Sequence, residues 1–329
     1  MTSSIGVDFA DARLEASVRA GLDAVEIMLR DAVRADDAFI AEAARYLVDA
    51  GGKRFRPLMT MLAAHFGDAA APEVVSAAVV VELTHLATLY HDDVMDEARV
   101  RRGAPSPNAR WDNTIAILTG DFLFARASDI LADLGPAAVR LQARTFERLV
   151  TGQIRETVGP GPDDDPIEHY LGVLAEKTGS LIATSAEFGA RFAGVEPSTV
   201  DTLRRFGERI GVAFQISDDI LDIASDSVES GKTPGTDLRE GVATLPVLYA
   251  LRSSASSSRL QTLVSHPLLD DAEHAEALSL LRSSSALDEA RATLSRYADA
   301  AREMLGDLPD VPARSGFEAL TKRVIDRTG

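Results

Sequence analysis

Two acidic clusters in this chain share one internal spacing. Asp92, Asp93 and Asp96 stand in YHDDVMDEA, and Asp218, Asp219 and Asp222 stand in FQISDDILD. Positions i and i+4 fall on one face of a helix, one turn apart, so Asp92 pairs with Asp96 and Asp218 with Asp222. Both clusters fall near the C-terminus of an expected helix, where the helix dipole disfavours carboxylates unless a cation binds. Oxygen-only ligands suit Mg²⁺, which bridges carboxylates and phosphates. The neighbours are apolar (Leu86, Leu89, Val94, Ile216, Ile220 and Leu221), which speaks against a merely solvated helix end. Other acidic runs lack that setting. Asp163, Asp164 and Asp165 sit between prolines, and Asp36–Asp37 and Asp270–Asp271 read as caps or surface.

Basic residues stand beside the acidic ones. Lys53, Arg54 and Arg56 occupy a loop opened by two glycines, Arg101 and Arg102 follow the first cluster, and Lys177 and Lys232 flank the second. Cationic side chains beside metal-binding carboxylates point to an anionic ligand, most simply a diphosphate held by metal and cation together.

The elements that must position these groups read as helices. Aromatics are 5% of the 329 residues, while Ala, Leu, Arg and Glu dominate, a composition that favours helix. Amphipathic periodicity predicts helices over 11–33 and 38–49, and another begins at Pro57. The stretch from Pro72 into the first cluster is apolar on nearly every side and is expected at the centre of a bundle. Further helices are expected over 115–134, 137–158, 167–178, 180–193, 197–223 and 245–251, with shorter ones to the end. The polar stretch 225–241 reads as a mobile loop that would close over a ligand and exclude water. No composition break requires a second domain, so residues 1–329 are expected to form a single, large all-α domain.

The totals narrow the class. There are 34 basic and 51 acidic residues, a net charge of −17, which makes nucleic acid an unsuitable partner. The chain has no cysteine, so thiolate sites and disulfides are excluded. No transmembrane span is expected, since the longest apolar run, 69–81, is broken by Pro72, Glu73 and Ser76. The N-terminal residues lack the pattern of a signal peptide, so a cytoplasmic location is expected.

Five motifs in order, GGKRFRP, ELTHLATLYHDDVMDEARVRRG, EKTG, FQISDDILD and GKTPGTDLREGVATLP, resemble those of the trans-isoprenyl diphosphate synthases. The resemblance implies a helical bundle around a central cavity. It implies a transferase that joins isopentenyl diphosphate to an allylic diphosphate, acting as a homodimer that could touch membrane transiently to release product. In that family the six aspartates hold three Mg²⁺ ions on the allylic diphosphate. By the same resemblance Arg101, Lys177 and Lys232 contact that diphosphate, Lys53, Arg56, His85 and Arg102 bind the diphosphate of isopentenyl diphosphate, and Thr178 and Gln215 lie near the developing carbocation. His91 has no such match and is read as structural. Val242 stands where the family often has lysine.

Product length should depend on a tunnel running back along the helix that bears Asp92. Ala87 and Thr88 are small where short-chain relatives carry an aromatic, and Thr84 and Val81 behind them are modest in size. Phe122 and Phe124 on the next helix are candidates for its floor. A product longer than fifteen carbons follows, a long polyprenyl diphosphate first and the twenty-carbon geranylgeranyl diphosphate second. The rival readings are a class I terpene cyclase, disfavoured by DDILD and GGKRFRP, and a non-catalytic subunit of a heteromeric synthase, disfavoured by the retention of all six aspartates.

Overall fold

A computed structural model describes residues 6–224, 234–253 and 258–327. Its regular structure is almost wholly helical, as the composition predicts. The helices are α1 (Ala12–Ala32), α2 (Ala38–Asp49), α3 (Phe55–Ala64), α4 (Pro72–Met95), α5 (Pro107–Arg110), α6 (Asn113–Leu134), α7 (Pro136–Val158), α8 (Pro166–Leu174), α9 (Ser180–Phe192), α10 (Pro197–Ala224), α11 (Thr236–Glu240), α12 (Leu245–Arg252), α13 (Ser258–Leu263), α14 (Asp271–Arg282), α15 (Ser285–Met304) and α16 (Pro312–Asp326). The chain divides into two compact units, one of residues 1–146, 181–207 and 307–317, the other of 147–180, 208–306 and 318–329.

In the first unit α4 packs against α1, α3 and α6. Residues Ala77 to Thr84 of α4 are all buried, which is the all-round burial that its uniformly apolar sequence demands. Among the described residues α4 alone is long and apolar enough to cross a membrane, and 67% of its most apolar window is buried inside the protein. Tyr90 ties α4 to α2. Its hydroxyl donates to the Ala43 carbonyl at 2.5 Å and accepts from the Leu47 amide at 3.3 Å.

Helix starts follow local chemistry. Asp37 and Asp270 accept from the first free amides of α2 and α14, so these two pairs supply caps, and Asp165, read only as loop, caps α8 in the same way. Helix α3 starts at Phe55, two residues before Pro57, on an Arg54 in the left-handed conformation.

Between α4 and α5 stands a small hairpin that the sequence reading did not anticipate. Strand β1 (Val100–Arg101) pairs antiparallel with β2 (Ala104–Pro105). Arg102 and Gly103 in its turn have φ of 54° and 77°, and positive φ at both central residues marks a turn whose twist matches the strands.

In the second unit α12 packs against α15, α8, α13 and α14. Tyr249 on α12 meets Thr293 on α15 at 2.6 Å between their oxygens. Between α8 and α9, residues Ala175–Gly179 form a π-helical turn in place of the α-helix expected through 178. Residues 225–233, including Lys232, lie outside the described residues. The end of the expected loop is helical instead, because Asp222 caps α11: its carboxylate accepts from the Thr236 and Asp237 amides at 3.2 Å each.

Candidate functional site

In the first unit the basic residues gather around His85. Arg54 is buried at the start of α3, where its guanidinium donates to Glu82 on α4 at 2.9 Å and also pairs with Glu26 on α1. Arg102 reaches back from the hairpin to donate to the carbonyls of Leu47 and Gly51, at the negative end of α2. Gly52 makes that possible, since a Cβ there would stand 2.9 Å from Nη2 of Arg102. Arg56 is half-buried, and its Nε–H is buried without a partner. Burial pushes Arg56 down to about 10 against the pull of Glu82. A desolvated guanidinium with an unused donor fits an oxyanion.

His85 itself is held well below its ordinary range by burial and by the guanidinium charges of Arg56, Arg102, Arg101 and Arg54, so it is neutral near pH 7. Lys53 stands exposed in the loop before α3. His91 does not join this group. Its Nε2 lies 3.1 Å from the Ile117 carbonyl on α6, a structural contact.

The first acidic cluster closes α4. Asp92 is half-buried, Asp96 is the exposed C-cap residue, and Asp93 is wholly buried. One oxygen of Asp93 accepts from Nε and Nη2 of Arg101, both at 2.6 Å. The other oxygen is buried with no hydrogen-bond partner. Burial raises the Asp93 carboxyl above its ordinary range despite Arg101.

In the second unit a hydrogen-bonded line runs from the π turn to the second acidic cluster. Thr178 Oγ1 donates to Gln215 Oε1 at 3.3 Å, and Gln215 Nε2 donates to Asp219 Oδ1 at 3.0 Å. The Tyr170 hydroxyl donates to the other oxygen of Asp219. Burial pushes Asp219 up to about 7, although the bonds from Tyr170 and Gln215 pull it down. Asp218 pairs with Arg327, whose guanidinium lies 4.9 Å from the centre of the Phe214 ring. Lys177, on the π turn, pairs with Glu156 of α7.

The donor set fits a divalent cation. Every candidate ligand is a carboxylate, the unpartnered oxygen of Asp93 is an orphaned acceptor, and a cation would favour the ionised form that burial disfavours in Asp93 and Asp219. Among the described residues no three carboxylate or imidazole groups are already gathered closely enough to hold one ion. Arg101, Arg327 and the α11 amides each engage one aspartate instead.

Sequence reasoning missed several residues here. Glu82 had a signal, an acid inside a run of buried apolar residues, which requires a buried counter-ion. Tyr170 and Arg327 had none, because they reach Asp219 and Asp218 only through the fold. Of the expected tunnel residues, Val81, Thr84 and Ala87 are buried on α4, and Thr88 and Phe122 are half-buried. Thr84 and Phe124 line a cavity of the first unit.

Comparison with known proteins bears on this arrangement. Residues 37–281 match the model of the polyprenyl synthetase family. The nonaprenyl diphosphate synthase of Mycobacterium tuberculosis (strain ATCC 25618 / H37Rv) is 53% identical over 98% of this chain and 97% of that protein. The dimethylallyltranstransferase of the same strain is 43% identical over 97% of this chain and 98% of that protein. Among solved structures, a geranylgeranyl pyrophosphate synthase from Corynebacterium glutamicum, complexed with calcium and isoprenyl diphosphate, superposes with a TM-score of 0.86 at 46% identity, covering 98% of this chain and 100% of that one. With its paired aspartate motifs and its arginine-ringed histidine, this chain belongs to the polyprenyl synthetase family.

Proposed function

We propose that this protein condenses isopentenyl diphosphate with an allylic diphosphate to give an all-trans polyprenyl diphosphate longer than fifteen carbons. The observation that carries the reading is a buried aspartate in each acidic motif, Asp93 and Asp219, raised by burial and so poised to gain from a bound cation. Family membership and the basic ring around His85 support it.

In this reading Asp92, Asp93, Asp96, Asp218, Asp219 and Asp222 hold Mg²⁺, three ions by family resemblance. The bound metal supplies electrophilic pull on the oxygens of the leaving diphosphate. Arg101, Lys177 and Lys232 bind the allylic diphosphate and stabilise its charge as the allylic carbon–oxygen bond breaks. Lys53, Arg56, Arg102 and neutral His85 bind the diphosphate of isopentenyl diphosphate, orienting its double bond to attack the allylic cation. Thr178 and Gln215, by the same resemblance, lie near the developing charge. The proton lost from the new chain passes to the departing diphosphate, since no histidine or free carboxylate is assigned as a base.

The family match takes in residues of both compact units, which supports reading the chain as one catalytic domain. Ile117 and Leu118 on α6 expose 43% and 56% of their surface, which supports a homodimer contact on that helix. Incubation of the purified chain with Mg²⁺, isopentenyl diphosphate and allylic primers of several lengths tests the whole reading. Elongated all-trans products support it, and cyclic hydrocarbon formed without isopentenyl diphosphate would replace it with a terpene cyclase. A twenty-carbon end product would select the second reading of product length, which the small residues Ala87 and Thr88 also permit.

A further inference from the structure

On α4 the residues Val81, Thr84, Thr88 and Asp92 follow one another at three- and four-residue steps, so they form one file along the helix. Thr84 stands two turns behind Asp92, about 12 Å along the axis at the α-helical rise. There the first unit holds a cavity of about 180 Å³, lined by Thr84, Phe124, Leu131, Gln142 and Phe146 among others. The rings of Phe124 and Phe146 lie 4.5 Å apart and form an apolar wall. By volume alone it has room for roughly one five-carbon unit, since a cavity of about 150 Å³ accepts benzene, and it opens to solvent on the side of Ser128 and Val139.

One lining group does not suit a hydrocarbon. Gln142 of α7 is buried, and its Nε2 donates to Thr84 Oγ1 at 2.8 Å, joining the α7 wall to the α4 wall. Thr84 in turn donates to the Val80 carbonyl at 2.8 Å, so its single O–H donor is used. The Gln142 Oε1 is buried with no hydrogen-bond partner. A chain growing past this point must break the Thr84–Gln142 bond and seal an amide away from water with its hydrogen-bonding capacity unmet, which is costly in an apolar setting.

We propose that the Thr84–Gln142 hydrogen bond is the product-length stop of this enzyme, halting elongation by polarity rather than by bulk. The inference rests on the prenyl-transfer reading above. It makes Gln142 a specificity-determining residue that meets the far end of the product and not the reacting atoms.

Near-isosteric variants separate polarity from size. Thr84→Val and Gln142→Leu each remove the bond while keeping side-chain volume close to the original. With Mg²⁺, isopentenyl diphosphate and an allylic primer, each is expected to raise the dominant product by at least one five-carbon unit over the wild type, measured by mass spectrometry of the extracted products. Two variants are used so that loss of fold in one leaves the other to decide. An unchanged or shortened product distribution in a variant that still turns over would overturn the inference while leaving prenyl transfer intact. A wild-type protein that elongates no primer would instead sink the prenyl-transfer reading, and the stop with it.

Discussion

The guanidinium of Arg54 donates to Glu82 at 2.9 Å, and neither side chain is open to water. This pair sits beneath the basic ring around His85, and Glu82 is also the chief opposing charge to burial at Arg56 and Arg102. Removing one partner of such a buried pair leaves the other charge uncompensated, at a cost of roughly 3–5 kcal/mol. Glu82→Gln keeps the shape but not the charge. It should lower stability by roughly 3 kcal/mol on that scale, read as a shift of the denaturation midpoint. An unchanged midpoint would mean that Glu26 alone satisfies Arg54.

Gly152 on α7 lies against the π turn that carries Lys177 and Thr178. A Cβ at that position would stand 2.6 Å from the Lys177 amide nitrogen and 2.9 Å from Cβ of Glu176. Propensity alone predicts that Gly152→Ala stabilises the helix by about 1 kcal/mol. The close approach predicts the opposite, a loss of about 1–3 kcal/mol through overpacking. A displaced Lys177 should lower kcat/KM for the allylic substrate at least tenfold. A variant more stable than wild type, with full activity, would refute the packing argument.

His85 gives the protein a defined response to acid. Its folded value lies well below the ordinary 6.5, so between the two values the unfolded chain binds more protons than the folded one. Stability therefore rises with pH through that window and is lost as pH falls below about 6.5. Thermal unfolding of wild type and His85→Gln at pH 7.5 and at pH 5.5 should show the smaller acid loss in the variant. Equal losses in the two proteins would show that His85 is not the sensitive group.

Ala87 lies on α4 between Thr84 and the first acidic cluster and is wholly buried. In the proposed reading the product path passes Ala87, and an aromatic ring there fills it. Ala87→Phe should shorten the dominant product relative to wild type, sized after incubation with isopentenyl diphosphate and an allylic primer. Products of unchanged length would place the path on another face of α4.

Much of the fold was legible because helices announce themselves locally. The all-round apolar run of α4 reads as a central helix, and Asp37 and Asp270 capped helices as their positions suggested, whereas Asp165, read as part of a solvated loop run, turned out to cap α8. The hairpin at Val100–Pro105 escaped notice because it rests on a left-handed Arg102, a conformation that arginine seldom adopts and that composition does not reveal. The π turn at Ala175–Gly179 escaped for a related reason: it opens on the good helix formers Ala175, Glu176 and Lys177, and the widened turn is a matter of backbone geometry.

By itself the sequence determined the helical class, the two aspartate motifs and the basic residues beside the first of them, because spacing along a helix fixes which side chains share a face. It could not say that Asp93 would turn inward onto Arg101, or that burial would raise Asp219 to about 7 between Tyr170 and Gln215. Nor could it join Asp218 to Arg327, or Thr84 to Gln142. Those relationships depend on dehydration and, for Tyr170–Asp219, Thr84–Gln142 and Asp218–Arg327, on contacts between residues 49, 58 and 109 positions apart. Only the folded chain excludes the water and brings the partners together.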